Sequence, residues 1–169
     1  MGTIEQPLKA HINELPRSEI ETILGRNHVG RIAFSFRDRV DIRPIYYVYK
    51  NGWIYGCTSK GSKLETIAHN MWVAFEVDEV AATFDWRSVV IRGPFYIMPP
   101  AGSSHPDPTD TSIRDDPEYS QAVSALRTFL PDAMLASDPT PFRYTVFRVH
   151  LDEATGREST PTAKSAKRQ

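Results

Sequence analysis

Asn51-Gly52 separates two runs suited to strand, Val40 to Tyr49 and Trp53 to Thr58. A two-residue Asn-Gly link favours the positive φ angles of a type I′ turn, whose twist matches that of paired strands. The chain therefore contains at least one antiparallel hairpin. Around it the pattern stays β-like. Val29, Arg31, Ala33 and Ser35 alternate with Gly30, Ile32, Phe34 and Phe36, and Val73 to Val77 and Ser88 to Ile97 are rich in strand formers. Phe142 to Leu151 alternates as a closing strand. Pro44 interrupts the second strand and marks an edge, a bulge or a ligand-facing irregularity.

Helical signals are fewer. Ser18 and Glu21 form a capping box, Ile20, Ile23 and Leu24 fall on one face, and Asn27 ends the run. A short helix is expected over Lys63 to His69, and a longer one over Glu118 to Leu130, with Tyr119, Val123, Leu126 and Leu130 aligned. The order is then one helix, three strands, a short helix, two longer strands, a helix and a last strand. Hairpins dominate over βαβ units. The expected fold class is mainly β, an antiparallel sheet or barrel with peripheral helices.

At 169 residues one domain is expected, over 15–154. Residues 1–14 read as a loose arm, and 155–169, polar, basic and without apolar content, as a disordered tail. Residues 99–116 are rich in Pro, Gly, Ser, Asp and Thr and form a loop, so 99–140 reads as an insertion. His105, Asp107 and Asp110 in that loop have no regular element to fix a ligand geometry. A net charge of −1 gives no electrostatic case for nucleic acid or an anionic membrane. The single cysteine, Cys57, suits a reducing compartment, and no signal peptide or membrane span is seen, so a cytoplasmic location is expected.

The stretch with the most chemistry is Cys57 to Glu65. Thr58, Ser59 and Ser62 supply hydroxyls, and Lys60 and Lys63 supply charge, where a strand hands over to a helix. Ser62 and Glu65 form a capping box that starts the helix near Ser62. Free N–H groups at a helix start, the helix dipole and nearby lysines suit a phosphate. The same residues also read as an ordinary capped helix with solvated lysines. Two familiar phosphate loops are excluded. Gly56 and Gly61 have P-loop spacing, but Ser62 stands where that loop needs lysine, and no G-x-G-x-x-G run exists. His11, His28, His69 and His150 show no metal-ligand spacing, and Glu76, Asp78 and Glu79 read as a solvated strand end.

With this layout the chain resembles the pyridoxamine 5′-phosphate oxidase-like, FMN-binding split-barrel family. It resembles in particular the branch that includes nitroimidazole-resistance-type reductases. The resemblance rests on Val29-Gly30-Arg31-Ile32-Ala33, Arg43 to Val48, Ile54 to Leu64, Val73 to Val77 and Trp86 to Gly93, in that order and spacing. It implies an antiparallel split β-barrel that forms a homodimer with flavin at the interface, acting as an oxidoreductase on a small-molecule substrate. It also implies the cofactor residues. Arg43, Pro44, Ile45 and Tyr46 match the strand along the flavin ring, and Thr58 and Ser59 match residues at the ring edge and ribityl chain. Ser62 and Lys63 match the phosphate grip, and Arg87 and Ser88 a polar pair that also reaches the cofactor.

Arg43 has two readings, a charge near the ring that favours reduced flavin, or a surface charge. Family members that oxidise vitamin B6 carry a C-terminal segment for pyridoxal phosphate, which the basic tail here does not match. The resemblance singles out no catalytic acid or base. It leaves open a flavin-holding module without turnover, or a deazaflavin or haem in the same fold.

Overall fold

The structure, a computed structural model, describes residues 10–59, 70–98, 117–140 and 143–161. The expected helix over Lys63 to His69, the phosphate-grip residues Ser62 and Lys63, and His105, Asp107 and Asp110 lie outside them. The strands are β1 (Ala10–Glu14), β2 (Val29–Phe36), β3 (Arg39–Lys50), β4 (Trp53–Thr58), β5 (Trp72–Ala82), β6 (Asp85–Met98), β7 (Thr145–His150) and β8 (Glu153–Pro161). Among the described residues the helices are α1 (Arg17–Arg26) and α2 (Pro117–Phe129). None is long and apolar enough to cross a membrane.

All strand pairs are antiparallel, in the order β1-β8-β6-β5-β2-β3-β4-β7, and β6 also pairs with β7. The β6–β7 pairing closes a barrel from β6, β5, β2, β3, β4 and β7, and β8 and β1 extend from the flank of β6. Two long strands change partner midway. In β3, Arg39 to Tyr46 pair with β2, and Tyr47 to Lys50 pair with β4. In β6, Trp86 to Arg92 pair with β8, and Phe95 to Met98 with β7. At the β6 changeover Gly93 lies so close to the β7–β8 corner that an added Cβ would sit 2.0 Å from the His150 carbonyl oxygen. The Asn51-Gly52 turn forms as expected, with φ of 51° and 82°.

The interior follows from the alternation of side chains along each strand. Ile32, Phe34, Tyr47, Ile54, Phe75, Val77, Val89, Ile91, Phe95, Phe147 and Val149 form one buried core. Helix α1 plugs one end of it with Ile20, Ile23 and Leu24, and the buried Tyr47 hydroxyl donates to the Leu24 carbonyl at 2.9 Å. Helix α2 covers a smaller core outside the barrel wall, where Ala122 and Leu126 meet Cys57, Met98 and Val146. Cys57 is buried there.

Three sequence expectations are corrected. Residues 10–14 are not part of a loose arm but form β1, paired with β8. Residues 155–161 are not disordered but lie in β8, between β1 and β6. Their buried positions are filled by Gly156 and Ser159, small residues that hydropathy does not register, and the Ser159 hydroxyl donates to the Phe84 carbonyl at 3.1 Å. Helix α1 begins at Arg17 with Pro16 as its N-cap and no side-chain cap bond, so Ser18 is already inside the helix. The fixed φ of proline suits a helix entry without a capping side chain.

Candidate functional site

The partner change in β3 leaves part of one strand edge open. Tyr47 donates its N–H to the His28 carbonyl at 3.0 Å, on the β2 side. In an antiparallel ladder the N–H and C=O of one residue face the same neighbour, and successive residues alternate. The backbone groups of Ile45 and Arg43 therefore face β2, and those of Tyr46, Pro44 and Ile42 face the opposite edge. Pairing with β4 starts only at Tyr47, so that edge carries no strand between Arg39 and Tyr46 among the described residues. Pro44 lacks an N–H, and here none is needed for the ladder. The Ile42 N–H is taken by Asp41 Oδ1 at 2.8 Å.

Strand β4 forms the other wall. Its pairing with β3 ends at Gly56, while its pairing with β7 runs on to Thr58 opposite Thr145. Continued by two residues, the β3–β4 register would set Thr58 across from Ile45. The β3–β4 ladder ends before that pair, and the stretch beyond its end, between β3 and the end of β4, is the candidate slot. Both walls are buried, with Ile45 8% and Thr58 5% exposed. The Thr58 hydroxyl reaches the Ser59 carbonyl at a long 3.4 Å, and Ser59 itself is exposed.

The proposed cofactor residues divide accordingly. Pro44, Ile45, Tyr46, Thr58 and Ser59 lie on or directly after the two strands that flank the candidate slot. Arg43 is 57% exposed and paired with Asp41 at 2.7 Å, which is the surface-charge arrangement. Arg87 and Ser88 are neighbours on a strand and point to opposite faces. Ser88 donates to Glu76 Oε1 at 3.3 Å on the outer face, beside Arg31, which is 3.0 Å from Glu76. Arg87 stands 3.5 Å from Glu158 and lines an open cavity of about 230 Å³ with Glu79, Asp85 and Trp86. In register, Tyr46 lies opposite Val29, and Ser88 opposite Asp78 on the far side of β2. Three strand spacings separate Ser88 from Tyr46, about 14 Å. The pair therefore does not join the slot within one chain.

The region after α2 supplies residues that local sequence patterns do not indicate. Phe129 stacks on His28 with ring centres 4.1 Å apart and lies 6.2 Å from the Tyr46 ring. The Arg143 guanidinium sits 5.6 Å from the centre of the same Tyr46 ring. Arg143 pairs with Asp138 at 3.3 Å, and Asp138 accepts the N–H groups of Met134 at 3.0 Å and Thr140 at 2.8 Å. Burial opposes the Asp138 charge, but the Thr140 and Met134 bonds and Arg143 outweigh it and hold the carboxyl below its ordinary value.

Elsewhere, Arg148 lies 4.3 Å over the Trp53 ring and pairs with Glu118 at 2.6 Å, tying the start of α2 to the barrel. Among the described residues no group of His, Cys, Asp and Glu could hold a metal.

A closed antiparallel barrel whose long strands change partners, with a slot at one changeover, defines a split barrel. The chain belongs to the pyridoxamine 5′-phosphate oxidase family, whose model matches residues 16–107. Among solved structures it is similar to an FAD-binding protein from Mesorhizobium loti, with 23% identity, TM-score 0.69 and coverage of 88% of this chain and 99% of that one. It is also similar to a candidate pyridoxamine 5′-phosphate oxidase from Corynebacterium glutamicum, at 26% identity and TM-score 0.62, covering 90% and 100%. A candidate 5-nitroimidazole antibiotic resistance protein from Bacteroides thetaiotaomicron matches at 17% identity and TM-score 0.64, covering 95% and 97%. An uncharacterised Rhizobium meliloti protein is 24% identical over 94 residues, which span 56% of this chain and 62% of that relative.

Proposed function

We propose that the chain binds a flavin, FMN in the first instance, in the slot between β3 and the end of β4, and serves as a flavin-dependent oxidoreductase on a small molecule. The observation that carries this reading is the edge of β3 before Tyr47, which no strand pairs among the described residues, beside the buried Thr58 at the end of β4. A flat ring with carbonyl and N–H groups along its rim needs an apolar wall and fixed polar groups, and Ile45, the Tyr46 backbone and the Thr58 hydroxyl are of those kinds. Ser59, Ser62 and Lys63 follow directly in sequence and supply phosphate chemistry. When bound, the flavin supplies the electron transfer, and the protein orients it and tunes its surroundings.

The proposed active form is a homodimer. The outer face of β3, β2 and β5 exposes Val40 (76%), Ile42 (56%), Val29 (56%), Trp72 (54%) and Tyr46 (43%). Exposed apolar residues gathered on one face, around the Arg31–Glu76–Asp78 ion pairs, are a mark of an interaction surface. A second copy on it could also bring its own Ser88 row toward the slot, which one chain cannot do alone. A buried single cysteine fits a reducing compartment, the cytoplasm.

The test is the visible spectrum of purified protein after incubation with excess FMN and desalting. Retained flavin near one FMN per chain supports the reading, and protein that retains none defeats it. Reoxidation of the reduced complex by added acceptors, compared with oxygen alone, then separates an oxidoreductase from a flavin-holding module.

A further inference from the structure

Arg143 lies beside the candidate slot. It precedes by two residues Thr145, the β7 residue paired with Thr58. Its guanidinium reaches β3, 5.6 Å from the centre of the Tyr46 ring. The charge is enclosed, because the Arg143 side chain is 14% exposed and that of Asp138 5%. Arg143 Nε also donates to the Thr140 carbonyl at 3.4 Å. Phe129 and His28 pack beside Tyr46 and fix the ring that the cation meets. Asp138 carries the opposing charge, and the Met134 and Thr140 N–H groups hold it in place beside the arginine. Arg43, the cation that sequence places at this strand, is solvated and paired with Asp41, and a screened surface charge has little reach.

We propose that Arg143 is the positioning residue that sets the electrostatic potential at the Tyr46 end of the slot, and that it favours the more negative, reduced form of a bound flavin. This rests on the flavin reading above. A cation in a partly desolvated place interacts more strongly with a change of ligand charge than a solvated one does. Arg143 makes that contribution with no movement of the chain, because Asp138, Thr140 and Tyr46 already hold it.

The test compares the dissociation constants of oxidised and anaerobically reduced FMN in the parent protein and in Arg143→Met, Arg143→Lys and Asp138→Asn, with the melting temperature of each flavin-free protein as a control. Arg143→Met is expected to weaken reduced FMN about threefold or more beyond its effect on oxidised FMN. Arg143→Lys keeps the charge and most of the parent ratio, and Asp138→Asn moves the ratio the opposite way. A merely structural arginine would weaken both forms together. An unmoved ratio in Arg143→Met, or equal ratios in the Met and Lys variants, overturns this proposal while leaving flavin binding intact. A parent protein that binds neither form overturns the flavin reading and this proposal with it.

Discussion

Ile45 and Thr58 would face each other if the β3–β4 ladder ran on, but no ladder joins them, because β4 stops pairing with β3 at Gly56 and stays with β7 to Thr58. The candidate slot is thus placed by strand pairing. One wall is a strand edge with no partner strand among the described residues and the other carries a buried hydroxyl, on elements fixed by the barrel core. A Thr58→Val change keeps the shape and removes the hydroxyl. It is expected to leave the fold intact and weaken FMN binding by about two- to tenfold, the cost of one neutral hydrogen bond. A flavin fluorescence titration measures this, and an unchanged dissociation constant removes Thr58 from the site.

Lys63 carries a different expectation. If it grips a phosphate, Lys63→Ala weakens FMN by roughly ten- to a hundredfold, the loss of one or two charge-assisted bonds. Riboflavin has the same ring without the phosphate, so its affinity is expected to stay as in the parent. Parallel titrations decide the point. Equal losses for both ligands would place the role of Lys63 in the fold and not in the phosphate grip.

Gly93 tests the architecture. A methyl group there would lie 2.0 Å from the His150 carbonyl oxygen and 3.0 Å from its carbon, backbone atoms that cannot rotate away. The changeover of β6 from β8 to β7 depends on this close approach. Gly93→Ala is expected to cost about 2–3 kcal/mol or more, in the range of severe overpacking. Urea unfolding gives the value, and a variant as stable as the parent would show that the corner relaxes freely.

Much of the fold was legible in the sequence because its signals are local. The strands β2 and β4 fall at the expected residues, and the Asn51-Gly52 turn forms. The missed strands lack such signals. β1 is short and mostly polar, and β8 fills its buried positions with Gly156 and Ser159, so backbone pairing and not hydropathy defines them. The strand positions of the candidate site were legible on the same terms. Of the readings Pro44 allowed, the edge fits its place on β3, and Thr58 lies at the end of a clear strand. The Arg143–Tyr46 and Phe129–His28 contacts join segments far apart in the chain, and no local pattern encodes them. The division of Arg87 from Ser88 follows from strand alternation, once the strand is known to run straight through both.

The clamp between α1 and β5 makes stability depend on pH. Arg26 donates to both Glu79 carboxylate oxygens, and Asn27 Nδ2 donates to one of them at 2.6 Å. The Arg26 bonds, opposed by desolvation and aided by Asn27, hold the Glu79 pKa below its ordinary 4.5. A carboxylate depressed in the folded state stabilises it above the unfolded value, and that gain is lost as pH falls through the folded value. Glu79→Gln is therefore expected to be less stable than the parent at pH 7, with the gap narrowing below pH 4.5. Melting curves across that range check it, and a gap that does not change with pH would mean that the loss comes from packing.

The proposed dimer can be tested at a residue the barrel does not need. Val40 is 76% exposed and pairs across β2 with Ser35, so in a single chain its side chain packs against little. Val40→Asp should then leave the melting temperature of a monomer nearly unchanged, since surface substitutions usually stay within about 0.5 kcal/mol. If this face meets a second copy, the same change buries an unpaired charge in an apolar contact, which costs far more. The parent is expected to elute as a dimer in light-scattering chromatography, and Val40→Asp as a monomer with the parent's circular dichroism. FMN retention is expected to fall with the dimer, because the Ser88 row then has no route to the slot. A Val40→Asp protein that stays dimeric would place the interface elsewhere. One that turns monomeric but keeps its full flavin would show that a single chain completes the site.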